Sequence, residues 1–232
     1  MKSKKPKGVM GIDYHTGRGK KKSLKYRLGR RTKEVVGAIE KYAKEKRAIL
    51  DLGTADGLML SRIKNTYPLA ECVGIEYCQE LIQANKDKRI KIFQGDVLHP
   101  PKKIKRKKID IVIATAIIEH VDSPSLFAKI VYDFLKPNGI GVVTTPVPFF
   151  DKLATAVGHL PKEDHQQTLT LTGLEKIFRK QGFKILEKKR FMFSPVGFPK
   201  EEFIEKIMRK IKIDFLMANQ MLVVRKKIKS YV

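Results

Sequence analysis

The stretch Ile49–Leu60, I-L-D-L-G-T-A-D-G-L-M-L, constrains this chain more than any other. Ala48 to Leu52 is a continuous apolar run broken only by Asp51, the pattern of a strand buried on both faces of a parallel sheet. It stops at Gly53, and a helical apolar spacing resumes at Leu58. Between them Gly53, Ala55 and Gly57 are small enough for a tight turn and a close approach to a ligand. A strand, a glycine-rich turn and a helix N-terminus together form a site for a nucleotide-like cofactor. The turn by itself does not say which one.

The remainder of the chain supplies the context. An amphipathic helix is predicted from about Leu24 to Lys46, leading into the first strand, and a second helix over Leu58–Asn65. Strands follow at Cys72–Glu76, Ile90–Gln94, Ile109–Ala114 and Gly141–Thr145, with a short helix at Gln79–Asn85. Ser123 and Pro124 read as the N-cap and first position of a helix reaching Leu135, and Pro137-Asn138-Gly139 as the turn into the fifth strand. Further on, helices are expected at Thr172–Gln181 and Pro199–Lys210, and strands at Phe183–Phe193 and Asp214–Lys226. Strands alternating with helices place the chain in the α/β class, with right-handed crossovers between parallel strands.

Two acids narrow the cofactor. Glu76 follows the glycine turn by about 20 residues and ends the next strand, where an open α/β sheet places the acceptor for ribose hydroxyls. Asp96, after Gly95 at the end of the third strand, can accept from the exocyclic amine of a base. Gly53-x-Ala55-x-Gly57 lacks the spacing of a dinucleotide fingerprint, and Asp56 would set a negative charge beside a phosphate. A cofactor with an adenosine end and an amino-acid end fits better. Its ammonium would meet Asp51 or backbone carbonyls, and its carboxylate the helix N-terminus.

The segments D-L-G-T-A-D-G, V-G-I-E-Y, F-Q-G-D-V, I-D-I-V-I-A-T-A-I-I-E-H-V and L-K-P-N-G-I-G-V-V-T-T-P resemble, in order, the motifs of class I S-adenosylmethionine-dependent methyltransferases. The likeness covers about residues 47 to 190. It implies a three-layer, Rossmann-like, seven-stranded sheet whose last strand is antiparallel, with S-adenosyl-L-methionine as cofactor and S-adenosyl-L-homocysteine as product. It implies Asp51, Gly53, Thr54, Ala55, Asp56 and Gly57 around the methionine end, and Glu76 with Tyr77 at the ribose. Gly95, Asp96 and Val97 fall at the adenine, and Thr115 beside the sulfonium. Ala55 stands where the family carries a middle glycine.

The acceptor is less constrained. His165 and His120 are the candidate general bases, because imidazole titrates in the useful range. Some members of the family hold a metal through E-x-x-E-H; here Ala116 replaces the first acid, so no metal is expected. The segments 146–171 and 194–210 lie above the parallel strand ends as lid elements, with a lid helix expected at Phe149–Gly158. Phe149, Phe150, Leu153, His159, His165, Phe193 and Phe198 would give an apolar-walled pocket, suited to an anionic or amphiphilic acceptor. The preferred reading is methyl transfer to a small-molecule, lipid- or glycan-linked acceptor; the alternatives are an RNA or protein methyltransferase using the basic N-terminal segment, and cofactor binding without turnover.

Charge adds partners rather than fold. The chain carries a formal net charge of +25, and residues 2–31 hold twelve basic residues against the single acid Asp13. Residues 1–22 are therefore expected to form a flexible basic segment ahead of one domain, residues 23–232, on the edge where substrates enter. That segment suits a nucleic acid or an anionic membrane surface, although a Lys-rich composition alone accounts for the charge equally well. The basic runs Lys102–Lys108 and Arg225–Lys229 fall at the opposite edge and read as solvated charge. No apolar run approaches the roughly 18 residues of a membrane span. Two cysteines, Cys72 and Cys78, form no disulfide framework, so a cytoplasmic location is the default expectation.

Overall fold

A computed structural model describes Gly17 and residues 21–149 and 169–227. The elements in chain order are α1 (Lys22–Tyr42), β1 (Ala48–Leu52), α2 (Leu58–Thr66), β2 (Glu71–Glu76), α3 (Gln79–Gln83), β3 (Lys91–Gln94) and β4 (Ile109–Thr115). After a short 3-10 turn, Ile118–His120, come α4 (Pro124–Phe134), β5 (Leu135–Pro146), α5 (Leu171–Lys180), β6 (Phe183–Phe191), α6 (Glu201–Lys210) and β7 (Asn219–Lys226). One seven-stranded sheet results, in the order β3-β2-β1-β4-β5-β7-β6. Strands β1 to β5 pair in parallel, and β7 runs antiparallel to both β5 and β6. The expected α/β sheet with its antiparallel last strand is therefore present.

The continuous apolar strands are buried because helices cover both faces. On one face β1, β4 and β5 contribute Leu50, Val112 and Val143 to a cluster with Phe127, Val131 and Phe134 of α4 and Phe178 of α5. On the other, Ile49, Ile111 and Val142 pack with Val35 and Ile39 of α1 and with Leu60 and Ile63 of α2. Successive side chains of β1 thus serve opposite layers, which fixes its register. The N-cap of α4 forms as its sequence requires: the Ser123 hydroxyl accepts from the Leu126 N–H, with Pro124 at the first position.

Four expectations need correction. Helix α1 ends at Tyr42, four residues early. There the Arg225 guanidinium donates to the Tyr42 carbonyl at 2.7 Å and satisfies part of the helix end. Strand β5 begins at Leu135 rather than after the Pro137-Asn138-Gly139 turn, since Leu135 already pairs with Ile109 and the irregularity falls between. Strand β7 begins only at Asn219, because Asp214–Leu216 closes a 3-10 turn. The charge at Lys226 is not solvated: Lys226 is buried, and its ammonium donates to the carbonyls of Tyr132 and Leu135 at 2.6 Å each. Most of the expected basic segment 1–22 and most of the lid helix Phe149–Gly158 lie outside the described residues.

Candidate cofactor site

The chain leaves β1 at Leu52 and reverses through three left-handed residues: Gly53 at φ 73°, Ala55 at 52° and Gly57 at 75°. The Gly53 and Thr54 N–H groups both donate to the Ile75 carbonyl, at 2.9 and 3.0 Å, tying the turn to β2. Packing demands the glycines as much as dihedral angle does. A Cβ at Gly53 would come within 2.9 Å of Ile117 Cδ1, and one at Gly57 within 2.7 Å of Ile90 Cδ1. Sequence reasoning missed Gly74, in mid-β2, where any Cβ would overlap the Thr54 side chain. Its signal was an isolated glycine inside a strand, which marks a close approach.

Glu76 ends β2 and is nearly buried. Its Oε2 accepts the Ala55 N–H at 2.8 Å and its Oε1 accepts the Cys78 N–H at 2.9 Å. Two backbone donors therefore hold the carboxylate in place beside the glycine turn, and each oxygen keeps a lone pair for a further donor. The Gly95 N–H donates to the Glu76 carbonyl, which carries the end of β3 to the same place. Asp96 is more open: its Oδ1 accepts the Leu98 N–H and its Oδ2 lies 2.8 Å from His99 Nδ1. Val97 is buried, and Tyr77, next in sequence to Glu76, is exposed. On the other side, the Thr115 hydroxyl at the end of β4 donates to Met59 Sδ of α2 at 3.8 Å.

The charge of the turn decides what it can hold. Asp51 and Asp56 are both 2% exposed, and Asp56 Oδ1 accepts the Leu58 N–H at the start of α2. No lysine or arginine occurs between Ile49 and Ser61. Two buried acids, a third at Glu76 and no base repel a pyrophosphate and attract a cation. A ligand with an ammonium, a sulfonium and a ribose fits this donor and acceptor set.

The remaining expected residues divide. His120 is half-buried in the 3-10 turn beyond Thr115, on the same sheet edge. Beside it Glu119 is buried with neither carboxylate oxygen hydrogen-bonded, an inward-facing acid that the E-H pair alone did not reveal. His165, His159, Phe150 and Leu153 lie outside the described residues. Phe193 and Phe198 do meet, edge to face with centroids 6.4 Å apart. Among the described residues no group of three His, Cys, Asp or Glu side chains is arranged to hold a metal ion. Burial pushes the Cys72 thiol up to about 11 and also raises Cys78, so neither is a ready nucleophile.

The sequence profile described as "Methyltransferase domain" matches residues 22–188, well over half of the chain. The chain belongs to that family. Its sheet order and turn are those of the class I, S-adenosylmethionine-dependent methyltransferases. This methyltransferase domain is similar to the malonyl-[acyl-carrier protein] O-methyltransferase of Halalkalibacterium halodurans, 24% identical over 115 residues, covering 46% of this chain and 42% of that one. It is similar as well to the ubiquinone biosynthesis O-methyltransferase of Bradyrhizobium diazoefficiens, 28% identical over 162 residues, covering 63% of this chain and 62% of that one. The chain thus spans about half the length of the curated relatives it matches. In fold, it is similar to a chain of the complex between the Haloferax volcanii Trm112 methyltransferase activator and a methyltransferase. The TM-score is 0.70 at 16% identity, covering 95% of this chain and 98% of that chain. No helix among the described residues is long and apolar enough to cross a membrane.

Proposed function

We propose that this protein binds S-adenosylmethionine at the glycine turn and transfers its methyl group to an amphiphilic or anionic small-molecule, lipid- or glycan-linked acceptor. One observation carries the reading: Glu76 is locked by the Ala55 and Cys78 N–H groups beside a turn that follows buried Asp51 of β1 and holds buried Asp56. A carboxylate fixed in this way accepts from the ribose hydroxyls without paying to reorient, and the acids favour the sulfonium and ammonium. Asp96 offers an acceptor to the adenine amine on the far side of Glu76, and Thr115 borders the sulfonium.

The cofactor, when bound, supplies a methyl group activated by positive sulfur. The chain's own residues then hold the acceptor in line and keep water out, which is where most of the rate comes from in such a displacement. His120, on the edge beside Thr115, and His165 are the proposed proton acceptors for a hydroxyl substrate. Both curated relatives are named as O-methyltransferases, which supports an oxygen acceptor. The test has two stages. Calorimetry should show S-adenosylhomocysteine binding, and no heat at high micromolar concentration would sink the cofactor assignment. Labelled methyl from S-adenosylmethionine should then enter the lipid or small-molecule pool of a fractionated extract. Label confined to the RNA or protein pool would replace the acceptor class.

A further inference from the structure

Exposed apolar side chains are concentrated in one part of the molecule. Of the eleven exposed large hydrophobics among the described residues, six lie between Val196 and Phe215. Phe203, Ile207 and Ile211 follow one another at four-residue spacing, so they line one flank of α6 and its C-cap. They are 62%, 44% and 58% exposed. The inward face of α6 carries Glu201, Glu205 and Met208. Glu205 accepts from the Arg30 guanidinium at 2.7 Å and from the Met192 N–H, and Glu201 accepts the Ser194 N–H. The helix is anchored through its acids and turns its phenylalanine and isoleucines to the outside. That is the reverse of an ordinary surface helix.

Charge surrounds the stripe. Lys206 and Lys210, one turn apart, stand alongside it, and Lys200 and Lys212 mark its two ends; all four are exposed. None of them is ion-paired among the described residues, whereas the exposed acid on the helix, Glu202, is held by Lys33. A second copy docking through the same patch would set these lysines against their own images. An anionic surface with an apolar interior meets both features at once.

We propose that α6 and its flanking turns dock on an anionic lipid bilayer. The Phe203–Ile207–Ile211 stripe enters the boundary between headgroups and acyl chains, and the lysines engage the anionic headgroups. Helix α6 follows β6, whose C-terminal end lies on the sheet edge that also carries Gly53 and Thr115. Docking therefore brings that edge alongside the bilayer. The consequence that an acceptor is taken from the membrane rests on the proposed methyl transfer; the docking itself does not.

The experiment sediments the full chain with vesicles of phosphatidylglycerol and phosphatidylcholine in equal parts, and with phosphatidylcholine alone. The protein should pellet with the anionic vesicles only, and less so as salt rises. The pairs Phe203→Ser with Ile207→Ser, and Lys206→Glu with Lys210→Glu, should each lower partitioning more than about tenfold. Both variants should keep the parent's melting temperature and S-adenosylhomocysteine affinity. Binding that is absent in the parent, or unchanged in both variants, overturns the proposal. So does light scattering showing that the serine pair turns a dimer into a monomer, since the stripe then faces another copy. Loss of S-adenosylhomocysteine binding in the parent would instead count against the methyltransferase reading and leave the vesicle result standing on its own.

Discussion

The Ala55 N–H donates to Oε2 of Glu76 at 2.8 Å, joining the glycine turn after β1 to the acid that ends β2. Together with the Cys78 N–H on Oε1, this makes Glu76 a structural cap at the place where the ribose acceptor is proposed. Removing the carboxylate should be felt twice. Glu76→Ala is expected to lower S-adenosylhomocysteine affinity by about tenfold or more, the worth of a charge-assisted hydrogen bond. It should also cost about 1–3 kcal/mol of stability through two backbone donors left without an acceptor. Calorimetry and denaturant unfolding read the two losses separately. An unchanged affinity would remove Glu76 from the ribose site.

Ala55 itself stores strain. Its φ of 52° lies in the left-handed region, which costs a residue with a Cβ about 1–2 kcal/mol. Glycine removes that cost but loses more freedom on folding, by roughly 0.5–1 kcal/mol. The difference favours glycine, so Ala55→Gly should stabilise the protein by about 0.5–1 kcal/mol in denaturant unfolding. A lower denaturant midpoint would mean that the turn tolerates the alanine without strain.

Buried charge holds α6 to the rest of the molecule. Arg30 on α1 reaches Glu205 at 2.7 Å and also Glu34, and Arg209 approaches the same Glu205 carboxylate at 3.4 Å. Glu205 is 1% exposed and additionally accepts the Met192 and Phe193 N–H groups. Glu205→Ala leaves Arg30 paired with Glu34 alone and two backbone donors without an acceptor, and should cost about 3–5 kcal/mol. The double variant with Arg30→Met should recover part of that loss, because it removes a buried guanidinium that has lost one of its two carboxylate partners. A single-variant cost below about 1 kcal/mol would show that water reaches the pair.

Particular residues explain what was legible in the sequence. Strand β1 was read to the residue, because its apolar run is bounded by Gly53 and buried on both faces. Glu76 and Asp96 are expected at the ends of the second and third strands, and the structure has Glu76 ending β2 and Asp96 just past β3. Lys226 was misread because charge at the chain's end looks solvated in one dimension. Its role depends on the carbonyls of Tyr132 and Leu135, about 90 residues away in sequence. The start of β7 was misplaced because D-F-L-M-A carries strand-like apolar content, while the local fold is a 3-10 turn. The orientation of α6 was hidden for a related reason. Periodicity locates the helix, but it takes Arg30 and the Ser194 N–H to make an acidic face the buried one.

Glu201 gives the fold a pH dependence with a definite sign. Burial pushes its carboxyl above the ordinary value, and the nearby Glu205 and Glu202 charges push the same way, against the Ser194 and Phe193 N–H groups. A carboxyl whose folded pKa exceeds its unfolded one binds its proton more tightly in the native state. Its stabilising contribution is complete below the unfolded value, about 4.3, and is lost as pH rises through the folded pKa. At pH 7 the ionised group therefore works against the fold. Glu201→Gln keeps an acceptor for the Ser194 N–H and carries no charge, so at pH 7 it should melt above the parent. That advantage should shrink as pH is lowered toward the ordinary glutamate range, where both proteins present a neutral side chain. Thermal unfolding of parent and variant across this range tests the sign directly. A melting difference that stays constant with pH would show that the Glu201 charge costs the fold nothing.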